Sequence, residues 1–213
     1  LSGITSFAYE VLWTRLISQI LGSSVYAFSS MLASFLAGIA IGSAVAARYA
    51  STRSHAISGF GAAQVDIAFF SVAAFACLDF LPWLVVAAQT DVMGGVRPSD
   101  VGIVIALLLP STFAIGATFP FAVRITARGE SDAGSATARV YAWNTVGAII
   151  GAIGAGFFLI PAVGFAWTVG LAAALNLLLA VGVAFLGQGV ARRVLVAGLI
   201  GLLLLAFLPP TTP

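Results

Sequence analysis

The chain has 213 residues, 61% hydrophobic and 8% charged, and its nine basic and seven acidic side chains give a formal net charge of +2. A mean hydropathy of +1.13 excludes a water-soluble globular domain. All nine basic residues are Arg bordering apolar runs, which excludes the basic stripe of a nucleic-acid binder, and the lone Cys77 excludes an intramolecular disulfide or a cysteine-built metal cluster.

A helix needs about 20 apolar residues to cross roughly 30 Å of hydrocarbon. By that measure the sequence predicts an all-α, polytopic transmembrane bundle of about seven helices, over 1–21, 25–47, 56–81, 100–127, 140–161, 165–186 and 190–208, forming one domain. The runs are long and do not alternate, which favours helices over barrel strands because lipid offers no water to unpaired backbone groups. The chain opens inside an apolar helix without an initiating Met, as expected of an excerpt or a processed product.

The first helix carries Tyr9-Glu10-Val11-Leu12-Trp13-Thr14-Arg15. A charge near mid-bilayer costs roughly 2.5 to 3.5 kcal/mol on insertion scales, so Glu10 and Arg15 need partners or water. Each helical residue turns by about 100°, which points the two to different faces. Asp79, near the end of the third helix, is the expected mate of Arg15. Tyr9 and Trp13 flank Glu10 rather than an interface, so this face is expected to meet protein. In the second helix Gly38 and Gly42 stand four apart, as Gly147 and Gly151 do in the fifth, spacings that let backbones approach closely.

His55 sits beside Arg53 in a polar turn and reads as a solvated side chain. Asp66 lies about ten residues into the third helix, roughly 15 Å deep, and is the least comfortable carboxylate in the chain. The connection 82–99 includes Trp83-Leu84-Val85-Val86-Ala87-Ala88, too short to span and predicted to lie in the interface. Pro110 and Pro120 interrupt the fourth helix and predict a bend there, with Ser111, Thr112 and Thr118 able to satisfy freed carbonyls; a hinge is the functional alternative to a static kink. The stretch 128–139, RGESDAGSATAR, reads as a solvated, mobile loop.

Residues 25–30, VYAFSS, match 140–145, VYAWNT, at an offset of 115. A duplication on that offset relates helices two and five. Three helices separate the copies, so they would cross in opposite directions, the inverted three-helix repeat of many transporters. With the amino end inside, the inner turns hold Arg48, Arg53, Arg124, Arg128, Arg139, Arg192 and Arg193 while Arg97 lies outside, a positive-inside pattern. Tyr49, Tyr141 and Trp143 then fall at inner ends, and Tyr26, Trp83 and Trp167 at outer ones. The Arg-only basic set and compact loops favour a bacterial inner membrane.

Glu10, Arg15, Asp66, Asp79 and Asn144 are the intramembrane polar candidates. Their first reading is structural, as pairs that specify which helices meet; the second is a binding or proton-relay site. No catalytic, cofactor-binding or metal-binding residue is identified. The glycines lie within transmembrane runs rather than in a phosphate loop, no Ser has an activating His nearby, and no His, Cys and carboxylate spacing suits a metal.

Three segments, SGITSFAYEVLWTRLISQILGSSVYAFSSMLASFLAGIAIGS, GATFPFAVR and ARVYAWNTVGAIIGAIGAGFFLIPAVG, resemble the membrane region of multi-pass spermidine synthase-like proteins. The resemblance implies a membrane region joined to a carboxy-terminal aminopropyltransferase-like domain that uses decarboxylated S-adenosylmethionine and a polyamine. None of that domain's Gly-rich or catalytic Asp positions has a counterpart here, so no cofactor and no catalytic residue is carried over. The leading expectation is a noncatalytic scaffold or accessory subunit, with the lipid bilayer and other membrane subunits or further copies of the chain as partners. A small-molecule transporter, of amines for instance, in which Glu10, Asp66 and Asp79 attract the cation, is one alternative. The other is the anchor of an aminopropyltransferase whose enzyme domain lies outside this chain.

Overall fold

The computed structural model describes residues 1–20, 25–80, 83, 98–186 and 191–207. The α-helices are α1 (Ser2–Ile20), α2 (Val25–Tyr49), α3 (Arg53–Ala76), α4 (Pro98–Thr126), α5 (Ala133–Ile153), α6 (Ile160–Ala184) and α7 (Ala191–Phe207). Short 3-10 turns cover Leu78–Phe80 and Glu130–Asp132, and Gly154–Leu159 is π-helical. No strand occurs among the described residues. Four passages are long and apolar enough to cross a membrane: Phe28–Tyr49, Arg53–Phe80, Val101–Thr126 and Ala133–Ala184. The predicted interfacial residues 84–88, Arg97, Pro209, Pro210 and the side chain of Tyr26 lie outside the described residues, whereas Trp83 is exposed.

Helix ends depart from the predicted ones where a cap or a break decides them. α3 starts at Arg53 rather than residue 56 because Thr52 is extended (φ −122°, ψ 159°) and its hydroxyl oxygen accepts the His55 backbone N–H at 3.1 Å. A cap of this kind satisfies an amide that the first turn leaves orphaned, and hydropathy does not register it. At the other end α3 stops at Ala76, so Asp79 belongs to the 3-10 turn and not to the helix. α5 begins at Ala133, well before the predicted 140, and absorbs much of the expected loop. Asp132 organises that start by accepting the Arg128 backbone N–H at 3.1 Å, bonding the Ser135 hydroxyl and pairing with Arg139 at 3.0 Å. Val140-Tyr141 therefore sits inside α5, while Val25-Tyr26 opens α2.

The passage Ala133–Ala184 is 52 residues long. At 1.5 Å per residue that would be about 78 Å, far more than one crossing needs. Gly164 breaks it with φ 78° and ψ 178°, a conformation that a side chain strongly disfavours. The predicted division between helices 140–161 and 165–186 falls at this residue. The π-helical turns just before it were not anticipated. α4, by contrast, is a single helix with Pro110 and Pro120 inside it. The Ser111 and Thr112 hydroxyls bond Leu108 O, Thr112 also reaches Leu109 O, and Thr118 bonds Ile115 O. None of these bonds reaches the carbonyls of Ala106 and Gly116, which the missing Pro N–H groups leave without their usual partner.

Two seams hold the bundle. On α2, a Cβ at Gly42 would run into the Phe113 carbonyl, and one at Gly38 into the Thr112 hydroxyl. The α4 residue Gly116 is pressed in return against the Ile39 backbone. Between α1 and α5, a Cβ at Gly151 would strike the Ile4 carbonyl, and one at Gly3 the Asn144 carbonyl. Helices in lipid gain little from hydrophobic burial against each other, so such backbone contact supplies dispersion instead.

The partners also fix relative direction. Met31 and Phe35 on α2 share a cluster with Val104 and Leu108, and Ala46 further along shares one with Ala117 and Phe121, so α2 and α4 run parallel. Ile4 meets Gly147 while Val11 and Arg15 meet Gly156, so α1 and the α5–π passage run parallel too. Leu177 meets Gly201 while Val181 meets Gly198, which makes α6 and α7 antiparallel. Arg124 at the end of α4 donates to the Ser51 carbonyl in the α2–α3 turn at 3.2 Å, and Val194 at the start of α7 meets Gly61 in α3. These contacts gather the α2–α3 turn, the end of α4 and the start of α7 towards one end of the bundle.

Candidate functional site

Charge alone is a poor guide to which polar groups this fold buries. Glu10 is only half-buried, Asp66 is exposed on α3 and Asp79 in the 3-10 turn after it, and Arg15 is exposed with its guanidinium near Gly156 of the π-helical turns. The expected Arg15–Asp79 pair is absent. The ion pair among the described residues is Arg139–Asp132, at the start of the Ala133–Ala184 passage. Asp79 lies in the 3-10 turn that follows the end of α3 at Ala76. Asn144 is half-buried, and its side-chain oxygen lies against Gly3 where α1 and α5 touch.

The deeply buried polar groups are uncharged. Tyr9, Gln64, Thr168 and Asn176 are all 0% exposed, as is Ser71, and Trp13 is 1% exposed. Asn176 Nδ2 on α6 donates to Tyr9 Oη on α1 at 3.4 Å. The Ser71 hydroxyl on α3 stands beside the same phenol without closing a hydrogen bond of ordinary geometry. Gln64 Nε2 on α3 donates to Ser2 Oγ on α1 at 3.0 Å. Ser71 lies seven residues beyond Gln64 and Tyr9 seven beyond Ser2, about 10 Å along parallel helices. Thr168 spends its hydroxyl locally on Gly164 O at 2.7 Å, bracing the break below it.

Four buried polar atoms have no partner among the described residues: Trp13 Nε1, Gln64 Oε1, Ser71 Oγ and Asn176 Oδ1. Exchanging the oxygen and nitrogen of either amide only moves the orphan from one atom to the other. The expectation that Tyr9 and Trp13 face protein matches their burial. Gln64, Ser71 and Asn176 were missed, since the candidates chosen were four charged groups and Asn144. For Asn176 the available signal was a lone amide in the apolar run AAALNLLLA, whereas Gln64 in GAAQVDIAFF was overshadowed by Asp66 and Ser71 is a single hydroxyl.

A second feature is a cleft of about 230 Å³ between α2, α3 and α4. Gly42, Gly59, Phe113 and Phe121 form apolar wall, Tyr49 stands at one end, and Asp66 contributes the carboxylate. Asp66 has neither an ion pair nor a hydrogen bond among the described residues. His55 bonds Ser51 Oγ through Nδ1 at 3.1 Å in the exposed turn, as a solvated side chain does. Cys77 is exposed, and no group of His, Cys, Asp and Glu among the described residues has the arrangement of a metal site.

No known protein family, curated protein or solved structure matches the chain.

Proposed function

We propose that this chain is a noncatalytic integral membrane domain of the kind found in spermidine synthase-like proteins, acting as a scaffold or accessory subunit in a larger membrane assembly. The observation that carries the reading is where the resembling residues lie. Tyr9 and Trp13 of the YEVLWTR segment are buried in the core, Gly116 of GATFPFAVR is pressed against α2, and Asn144, Gly147 and Gly151 of the third segment lie along α1. These residue choices serve close assembly of helices and supply no nucleophile, base or cofactor cradle.

In this reading all seven α-helices cross an inner membrane of bacterial type, with the amino end cytoplasmic. Support comes from the parallel and antiparallel registers, which alternate as successive crossings would, and from the Arg-bearing ends that the Arg124–Ser51 and Val194–Gly61 contacts draw together. The inverted repeat is part of the same proposal. Relating α1 to α4 and α2 to α5 carries the α2–α4 seam onto the α5–α1 seam, two parallel pairs each closed by glycine. Solubilisation in a mild detergent followed by mass measurement tests the scaffold reading. A stable complex with a second membrane protein or further copies is the expected result; recovery as the isolated monomer alone overturns it.

The cleft favours a second reading, transport of a small organic cation. An unpaired carboxylate on a membrane-crossing helix attracts a positive charge, and apolar walls suit the rest of such a solute. Amine flux into proteoliposomes that is abolished by Asp66→Asn, with assembly intact, would support it; equal flux in both proteins would remove it.

A further inference from the structure

The unpaired atoms around Tyr9 place a demand that no side chain among the described residues meets. Ser71 Oγ and Asn176 Oδ1 are orphaned beside the phenol, and Trp13 Nε1 is orphaned one turn further along α1. Leaving a polar atom unpaired away from water costs roughly 1 to 3 kcal/mol, so two beside one phenol and a third on the next turn of α1 would be a heavy penalty on a marginally stable fold. The residues are not makeshift: each is at most 1% exposed, and α1, α3 and α6 each contribute at least one.

We infer that the Tyr9–Ser71–Asn176 cluster, with Trp13, is a binding site for buried water inside the membrane-spanning bundle. The chemistry of the donors and acceptors selects this ligand. Asn176 Oδ1 accepts, Trp13 Nε1 donates, Ser71 Oγ does both, and the Tyr9 hydroxyl keeps a proton to donate after accepting from Asn176 Nδ2. Buried waters make about three hydrogen bonds each, and this set offers both kinds in that number. None of Tyr9, Ser71, Asn176 and Trp13 is charged, so a desolvated cation or anion would find no counter-charge among them. Gln64 Oε1, two turns down α3 beside Ser2, is a second such point on the same helix pair. The inference stands apart from whether the bundle carries a partner or a solute.

X-ray radiolytic footprinting of the whole protein in nanodiscs tests it, because hydroxyl radicals formed from bound water label the side chains in contact with that water. Tyr9 and Trp13 are then modified several-fold faster than Phe35, which is equally buried but lies among apolar side chains. Rates for Tyr9 and Trp13 no higher than for Phe35 would show the niche to be dry and overturn the inference. Ser71→Ala and Asn176→Leu each lower Tyr9 labelling several-fold while leaving exposed Trp143 unchanged. Tyr9 labelling that persists in folded variants would place the water elsewhere and equally overturn it. If a variant fails to fold, the comparison of Tyr9 with Phe35 in the unaltered protein still decides.

Discussion

The glycine seams and the polar interior solve the same problem in opposite ways. Where α2 meets α4 and α1 meets α5, side chains are removed until backbone touches backbone, and no polar atom is asked to give up a partner. Where α1, α3 and α6 converge, large polar side chains fill the space and leave several atoms unpaired. The first kind of contact tolerates no added volume, because a main-chain carbonyl cannot move aside. The second tolerates loss of a group better than a dry core would, since water can follow the vacated space.

The largest effect should come from filling a seam. Gly42→Leu and Gly151→Leu each drive a side chain into a backbone carbonyl, and each should cost about 3 kcal/mol or prevent assembly, at the upper end for overpacking. Reversible denaturation in mixed micelles measures this, with Gly170→Ala as a comparison because nothing lies within 4 Å of an added Cβ there. If Gly42→Leu proved as benign as Gly170→Ala, the seam would not be the close contact described. Next comes Gly164→Ala, which forces a side chain into φ 78° and should cost about 2 kcal/mol in the same assay, although the space around it is open.

Smaller still is Tyr9→Phe in the polar interior. Interhelical hydrogen bonds in membranes average about 0.6 kcal/mol, and this bond is long at 3.4 Å, so a loss of under about 1 kcal/mol is expected. A loss as large as that at Gly42 would mean the interior is as rigidly dry as the seams.

The smallest effect belongs to Asp132 at the solvated start of α5. The bond from Ser135, then those from Arg139 and the Arg128 backbone N–H, hold its carboxyl well below the usual carboxylate range. A lowered folded-state value means its contribution is complete above about pH 4, the ordinary carboxylate range, and is lost as pH falls through the lowered value. Acid should therefore loosen the first turn of α5, seen as faster amide exchange there. Asp132→Asn should already show that exchange at neutral pH and change little on acidification. Equal acid response in both proteins would exclude Asp132 as the cause.

Much of the helical frame was legible because crossing a bilayer demands long apolar runs, and those runs are plain in the chain. The spacing of Gly38 with Gly42 and of Gly147 with Gly151 also announced close contact without naming the partner. Caps and breaks were harder. Thr52 and Asp132 act through side-chain hydrogen bonds that hydropathy ignores, and nothing in GAGFFL distinguishes a π-helical turn from an α-helical one. The polar interior was misjudged for a different reason. Ranking side chains by charge selects Glu10, Asp66 and Asp79, but a charge is what a bundle in lipid keeps near its surface or an opening, while uncharged amides and hydroxyls can be carried inside.

The amino-acid order alone thus determined helices, several of them long and apolar enough to cross a membrane, since apolar length and backbone self-sufficiency are properties of each segment by itself. It also determined which helices could approach closely, because a missing Cβ is a local fact. Only the tertiary structure decided that α2 lies on α4 and α1 on α5, that Arg15 and Asp79 do not meet, and that Ser71 and Asn176 converge on Tyr9. Those outcomes depend on distances between residues up to 167 positions apart, which one helix's periodicity cannot encode.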